Sequence, residues 1–92
     1  MQQLRPVLSS KDMAKYFFHA EGADSYPDEQ GSDLADLEAV QLRAARMLGE
    51  LLKEKAEEFW SDGLTVHVAN QTGLSLFSLE VVTTRSPALG GK

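Results

Sequence analysis

The chain has 92 residues, no cysteine, 42% apolar and 25% charged residues, and a net charge of −5. That describes one small domain and excludes disulfides, thiolate-bound zinc, iron–sulfur clusters and thiol nucleophiles. No apolar run approaches the ~18 residues that a spanning helix requires, and the start, MQQLRPVLSS, lacks the apolar stretch of a signal peptide, so the expected compartment is the cytoplasm.

Residues 1–12, MQQLRPVLSSKD, show no sustained periodicity and contain Pro6. They read as a flexible N-terminal extension, with the domain itself expected over 13–83. KYFFHA (15–20) is β-prone through its aromatic residues. Alternation puts Tyr16 and Phe18 on one face of that strand and Phe17 and His19 on the other. EGAD follows as a turn in which Gly22 is able to take a positive φ. SYPD is a short second strand, and Pro27 assigns it to a sheet edge, because a central strand cannot spare that amide. DEQGSD reads as a further turn.

Seven acids (Glu21, Asp24, Asp28, Glu29, Asp33, Asp36, Glu38) and no Lys or Arg occupy 21–38. Charge runs of this kind are usually solvated loop and helix start. The acidic loop superficially suggests calcium, but the alternating ligands and central glycine of an EF-hand are out of register. Basic residues are scattered elsewhere, so the clustered cations that displace phosphate counterions are missing and nucleic acid is not an expected partner.

A long helix is predicted from Leu37 to Trp60, N-capped by Asp36 with Glu38 in its first turn. Leu37, Val40, Ala44, Met47, Leu48, Leu51, Leu52 and Phe59 form its apolar stripe. Arg46–Glu50 and Lys53–Glu57 are i,i+4 pairs of opposite charge. Gly49 costs ~1 kcal/mol relative to alanine in mid-helix, which suggests a close approach to the sheet there. Gly63 is the expected C-terminal cap.

LTVHVAN (64–70) alternates, with Leu64, Val66 and Val68 opposed to Thr65, His67 and Ala69. NQTG is a hairpin turn, and LSLFSLEVV returns. There Phe77, Leu79 and Val81 share a phase while Leu74 and Leu76 do not, so either a bulge or an outer apolar patch is required. Residues 84–92 read as a disordered tail. The fold is α+β: a ββαββ two-layer domain with a four-stranded antiparallel sheet, order 2-1-3-4, and one long helix on one face.

The YFFH strand, the acid-and-glycine turn, DLADLEAVQLRAARMLGELL, the FW at the helix end and VHVANQTGLSLFSL together resemble a bacterial family of small proteins known only as a domain of unknown function. The resemblance covers about Ala14 to Pro87. It implies no activity, cofactor or catalytic residue.

The 2-1-3-4 order makes His19 and His67 neighbours on adjoining strands, and with Asp24 or Asp28 they form the one polar constellation worth weighing. Metal-motif spacings are missing, no serine has a nucleophile elbow, and no glycine loop matches a phosphate cradle. The expectation is therefore no cofactor and no catalytic residue. The aromatic excess gives the stronger lead. One pair of strand 1 must face the helix, and the other lies on a sheet face no predicted element covers, a surface type that usually marks association, unless residues 1–12 or 83–92 fold over it. The expected interface set is Tyr16, Phe18, His67 and Leu76, serving a homodimer or another protein partner. The expected function is a non-enzymatic interaction or regulatory module that self-associates. The alternative is a small-ligand binder or minor enzyme using His19, His67 and nearby carboxylates.

Overall fold

A computed structural model describes residues 13–90. The expected extension at 1–12 and the last two residues of the expected tail lie outside the described residues. In chain order the elements are β1 (Ala14–Glu21), β2 (Ser25–Tyr26), β3 (Ser32–Leu34), α1 (Leu37–Glu54), α2 (Phe59–Asp62), β4 (Leu64–Asn70), β5 (Ser75–Val81) and α3 (Pro87–Gly90). The domain is α+β, with α1 on an antiparallel sheet ordered β2-β1-β4-β5, and β3 also pairs with β1.

The β3 pairing was not anticipated, because SDL is too short and polar to read as a strand. It sets Ala14, Lys15 and Tyr16 opposite Leu34, Asp33 and Ser32, while Ala20 and Glu21 face Tyr26 and Ser25. Segments β2 and β3 are thus one interrupted edge strand beside β1. Between them residues 27–31 stand opposite residues 17–19, an excess of two that preserves which face each side chain points to. Pro27 sits in the interruption, where its missing N–H removes no ladder bond.

Phe18, Val40, Ala44, Val66 and Val68 form the buried core, with Tyr16, Leu34, Met47, Leu48, Leu51, Phe77 and Leu79 packed against it. Helix α1 starts as predicted, the Asp36 side chain accepting the Ala39 N–H at 2.9 Å. It ends earlier than predicted. Lys55 leaves helical geometry with its N–H on Leu51 O, and Phe59–Asp62 is a separate turn closed by Gly63 at φ 73°. Glu54-Lys55-Ala56-Glu57-Glu58 carries no large apolar residue, so nothing anchors that stretch to the sheet.

Three expectations for the helix are corrected. Leu37 is 53% exposed and does not join the stripe's buried part. At Gly49 a Cβ would meet nothing within 4 Å, so no close approach to the sheet explains that glycine. The ion pair formed among the described residues is Lys15–Asp33, and His67 Nε2 lies 3.1 Å from Glu21 Oε1; Arg46–Glu50 and Lys53–Glu57 do not close, and Glu57 lies beyond the end of α1.

Of the two alternatives for the β5 phase conflict, the β4–β5 hairpin contains the bulge: Val68 faces Phe77 and Ala69 faces Ser75, so Leu76 is the extra residue. Asn70 organises its turn: its side-chain oxygen accepts from Thr72 N, Thr72 Oγ1 and Leu74 N. The predicted tail departs from expectation in its described part. Ser86 Oγ accepts the Ala88 N–H at the start of α3, and the Arg85 guanidinium lies 5.8 Å from the Trp60 ring centroid.

Candidate functional site

Phe18 is 4% exposed and belongs to the helix-side core, with Tyr16 packed against that core. The expectation that Tyr16 and Phe18 contribute to the open face is therefore corrected. They feed the core because their phase matches Val66 and Val68 across the β1–β4 ladder. The open face carries the other pair, Phe17 and His19, whose rings stack at 6.4 Å with planes 8° apart. His67 joins them, directly opposite His19 in the register, and Ala69 lies opposite Phe17. Leu76, 38% exposed, is the extra residue of the β5 bulge, between Ser75 opposite Ala69 and Phe77 opposite Val68. Phe17, His19, His67, Ala69, Asn70 and Ser75 line a shallow concavity on this face of about 370 Å³.

The two histidines are held differently. His19 Nδ1 accepts the backbone N–H of Asp28 at 2.9 Å. An acceptor nitrogen carries no proton, so the neutral ring bears its proton on Nε2. His67 lies in a chain across three strands, its Nδ1 2.8 Å from Ser78 Oγ and its Nε2 3.1 Å from Glu21 Oε1. A carboxylate only accepts, so Nε2 donates to Glu21 and Nδ1 is left to accept the Ser78 hydroxyl. Spacing alone did not reveal this acid–histidine–serine chain, because its members lie 46 and 11 residues apart and meet only through strand pairing. The phase was readable: Thr65, His67 and Ala69 share a face, and so do Ser78 and Glu80.

Asp28 and Asp24 do not join the histidines as ligands. The Asp28 carboxylate points back into the edge, where it accepts N–H groups from Phe18 (3.1 Å), Gln30 (3.1 Å) and Gly31 (3.0 Å). Burial pushes its pKa up, but those three donors, with His19 nearby, outweigh this and hold it below the usual carboxylate value. Asp24 lies beside the Tyr26 hydroxyl at 3.4 Å. Among the described residues no group of three or more His, Asp or Glu side chains is placed to hold a metal ion.

Chemically, the face offers a shallow aromatic and imidazole concavity with a solvent-exposed hydrogen-bonded chain. The side chains of His67 and Glu21 are 39% and 60% exposed, so water competes for each bond in it. Residues 15–83 match the family described as Domain of unknown function (DUF6894). The chain belongs to that family. The match runs from the first aromatic strand past the end of β5, so the family domain and the fold described above coincide. No curated protein and no solved structure matches the chain significantly. Among the described residues no helix is long and apolar enough to cross a membrane.

Proposed function

We propose that this chain is a non-enzymatic protein-interaction module that self-associates through the side of its sheet that no described element covers, either by the open face or by the adjoining edge of β5, with which no described strand other than β4 pairs. One observation carries the reading. Helix α1 covers a single face, so Phe17, His19, His67 and Ala69 stand together on the other with no element of the described chain above them. Apolar and aromatic groups gathered on a sheet face gain free energy when a second surface removes them from water. The resemblance to small bacterial proteins supports a bacterial setting. The net charge of −5 argues against nucleic acid as the partner. Light scattering after size exclusion across a concentration series tests the reading: mass should rise from monomer to dimer, and a strict monomer throughout would overturn it.

A second reading, a ligand-binding protein or minor enzyme, is favoured by the Glu21–His67–Ser78 chain alone. There His67 Nδ1 would take the Ser78 proton as general base while Glu21 holds the imidazolium. A fluorophosphonate probe decides it. Labelling at Ser78 that disappears in His67→Ala supports this chemistry, and an unlabelled protein ends it.

A further inference from the structure

The two edges of the sheet are built in opposite ways. The β2/β3 edge is closed to pairing: it is broken at 27–31, holds Pro27, and the Phe18 N–H is satisfied by the Asp28 carboxylate. Bulges, proline and inward-turned charge are the devices by which sheets block edge-to-edge contact. The β5 edge has none of these over Phe77–Val81. Its bulge, with Leu76 as the extra residue, lies at the hairpin end, and Glu80 is its one charge.

The direction of the free backbone groups follows from alternation. The Phe18 N–H points away from β4, so His19 points toward β4 and its partner His67 toward β1. Val66 and Val68 then pair with Leu79 and Phe77, which leaves the N–H and C=O groups of Ser78 and Glu80 directed outward at the edge.

We propose that a second copy of this chain pairs along β5, antiparallel, about a two-fold axis at Leu79, giving one continuous sheet across two subunits. This rests on the reading of the chain as a self-associating module and locates the contact. The register is chosen by the side chains. With Leu79 on the axis, Ser78 and Glu80 of opposite copies exchange the outward hydrogen bonds. On the helix side Leu79 meets Leu79, and Phe77 meets Val81. At the ends of the paired stretch the bulge residue Leu76 comes level with Val82, which lies just past β5 and is 73% exposed in the single chain. Each position finds its own kind. An axis at Ser78 sets Leu76 against Glu80, and an axis at Glu80 brings two carboxylates face to face, which cross-strand pairing disfavours. The paired sheet also joins the two open faces, doubling the surface around Phe17 and His67.

The test uses the full chain with substitutions chosen for this geometry. Glu80→Pro removes an N–H directed outward, which the edge of a monomer tolerates, and should abolish the dimer over the concentrations where wild type dimerises, with circular dichroism unchanged. Val82→Lys should weaken dimerisation by severalfold or more. Leu79→Cys would sit in a non-hydrogen-bonded pair with Cα atoms about 4.5 Å apart, within disulfide range. It should cross-link on mild oxidation far faster than Glu80→Cys, whose copies are offset from the axis. Phe17→Ala should leave the dimer intact. A wild-type dimer that survives Glu80→Pro and Val82→Lys and fails to cross-link at Leu79→Cys overturns the edge contact; loss of that dimer in Phe17→Ala assigns it to the open face. A wild-type monomer overturns both the edge contact and self-association.

Discussion

The backbone N–H of Asp28 donates to His19 Nδ1 at 2.9 Å, while the Asp28 carboxylate accepts the N–H of Phe18, the residue before His19, at 3.1 Å. This reciprocal contact bridges β1 to the break in its edge partner. The Phe18 N–H that β2 and β3 leave unpaired finds the Asp28 carboxylate, and the Asp28 N–H finds the His19 ring. It also orients His19 on the open face beside Phe17. Edge closure and the geometry of the candidate surface are therefore one structural feature.

Asp28→Ala leaves the Phe18, Gln30 and Gly31 N–H groups without their acceptor and should destabilise by about 1–3 kcal/mol, chiefly through the half-buried Phe18 and Gly31 donors, since the Gln30 N–H is open to water. Asp28→Asn keeps an acceptor oxygen and should lose less. The carboxyl's pKa is lowered on folding, so its charged form stabilises the native state. That contribution is complete above the unfolded value, near 3.8, and is lost as pH falls through it toward the lower folded value. Urea melts between neutral pH and pH about 3 should show wild type converging toward Asp28→Ala as the carboxyl is protonated.

Gly31 enters β3 at φ 75°, and a Cβ there would lie 2.8 Å from Lys15 Cγ and 2.9 Å from Phe17 Cε2. Gly31→Ala combines backbone strain with a clash against an aromatic ring on the open face. A loss of roughly 1–3 kcal/mol in urea denaturation is expected. The Phe17–His19 stack should shift with it, visible as altered ring resonances of both residues.

Much of this architecture was legible, and the parts that were not share a physical cause. The alternation at Leu64–Val68 and the i, i+3, i+4 spacing around Val40, Ala44 and Leu48 specify one buried face each, and both faces are where the pattern puts them. The order of the strands followed from handedness and from Pro27. What the pattern left open was the phase of KYFFHA, because four consecutive large residues give either face a credible set. The choice is made across space, by Val66 and Val68 on β4 and by Val40 and Ala44 on α1. The helix end was overrun for a related reason: Phe59 continues the spacing, but the intervening Glu54–Glu58 has no apolar residue larger than Ala56 to hold it down. The Glu21–His67–Ser78 chain and the Asp28 cap exist only through strand register, which single-sequence periodicity does not contain.

Both imidazoles should carry their proton on Nε2 when neutral. His19 Nδ1 is an acceptor for Asp28 N–H, and His67 Nδ1 accepts the Ser78 hydroxyl while Nε2 donates to Glu21. Long-range proton–nitrogen correlation spectra at alkaline pH distinguish the tautomers directly. Glu21→Gln should loosen the preference at His67 and leave His19 unchanged, because the two rings are fixed by different elements. A His19 ring protonated on Nδ1 would break the link between the edge cap and the open face.

Gly49 offers the sharpest contrast between what helix propensity expects and what packing demands. Glycine in mid-helix normally survives because a neighbouring backbone comes too close for a Cβ. Here the position is exposed, and a Cβ would contact nothing within 4 Å. Gly49→Ala should therefore raise stability by about 1 kcal/mol, the propensity difference alone. Val66→Ala, at a position with 0% exposure between helix and sheet, should cost about 2 kcal/mol from lost burial and the cavity left behind. Thermal melts of the two variants should move in opposite directions. A destabilised Gly49→Ala would mean that something beyond the described chain packs against the outer side of α1, which a second copy paired at β5 is not required to do.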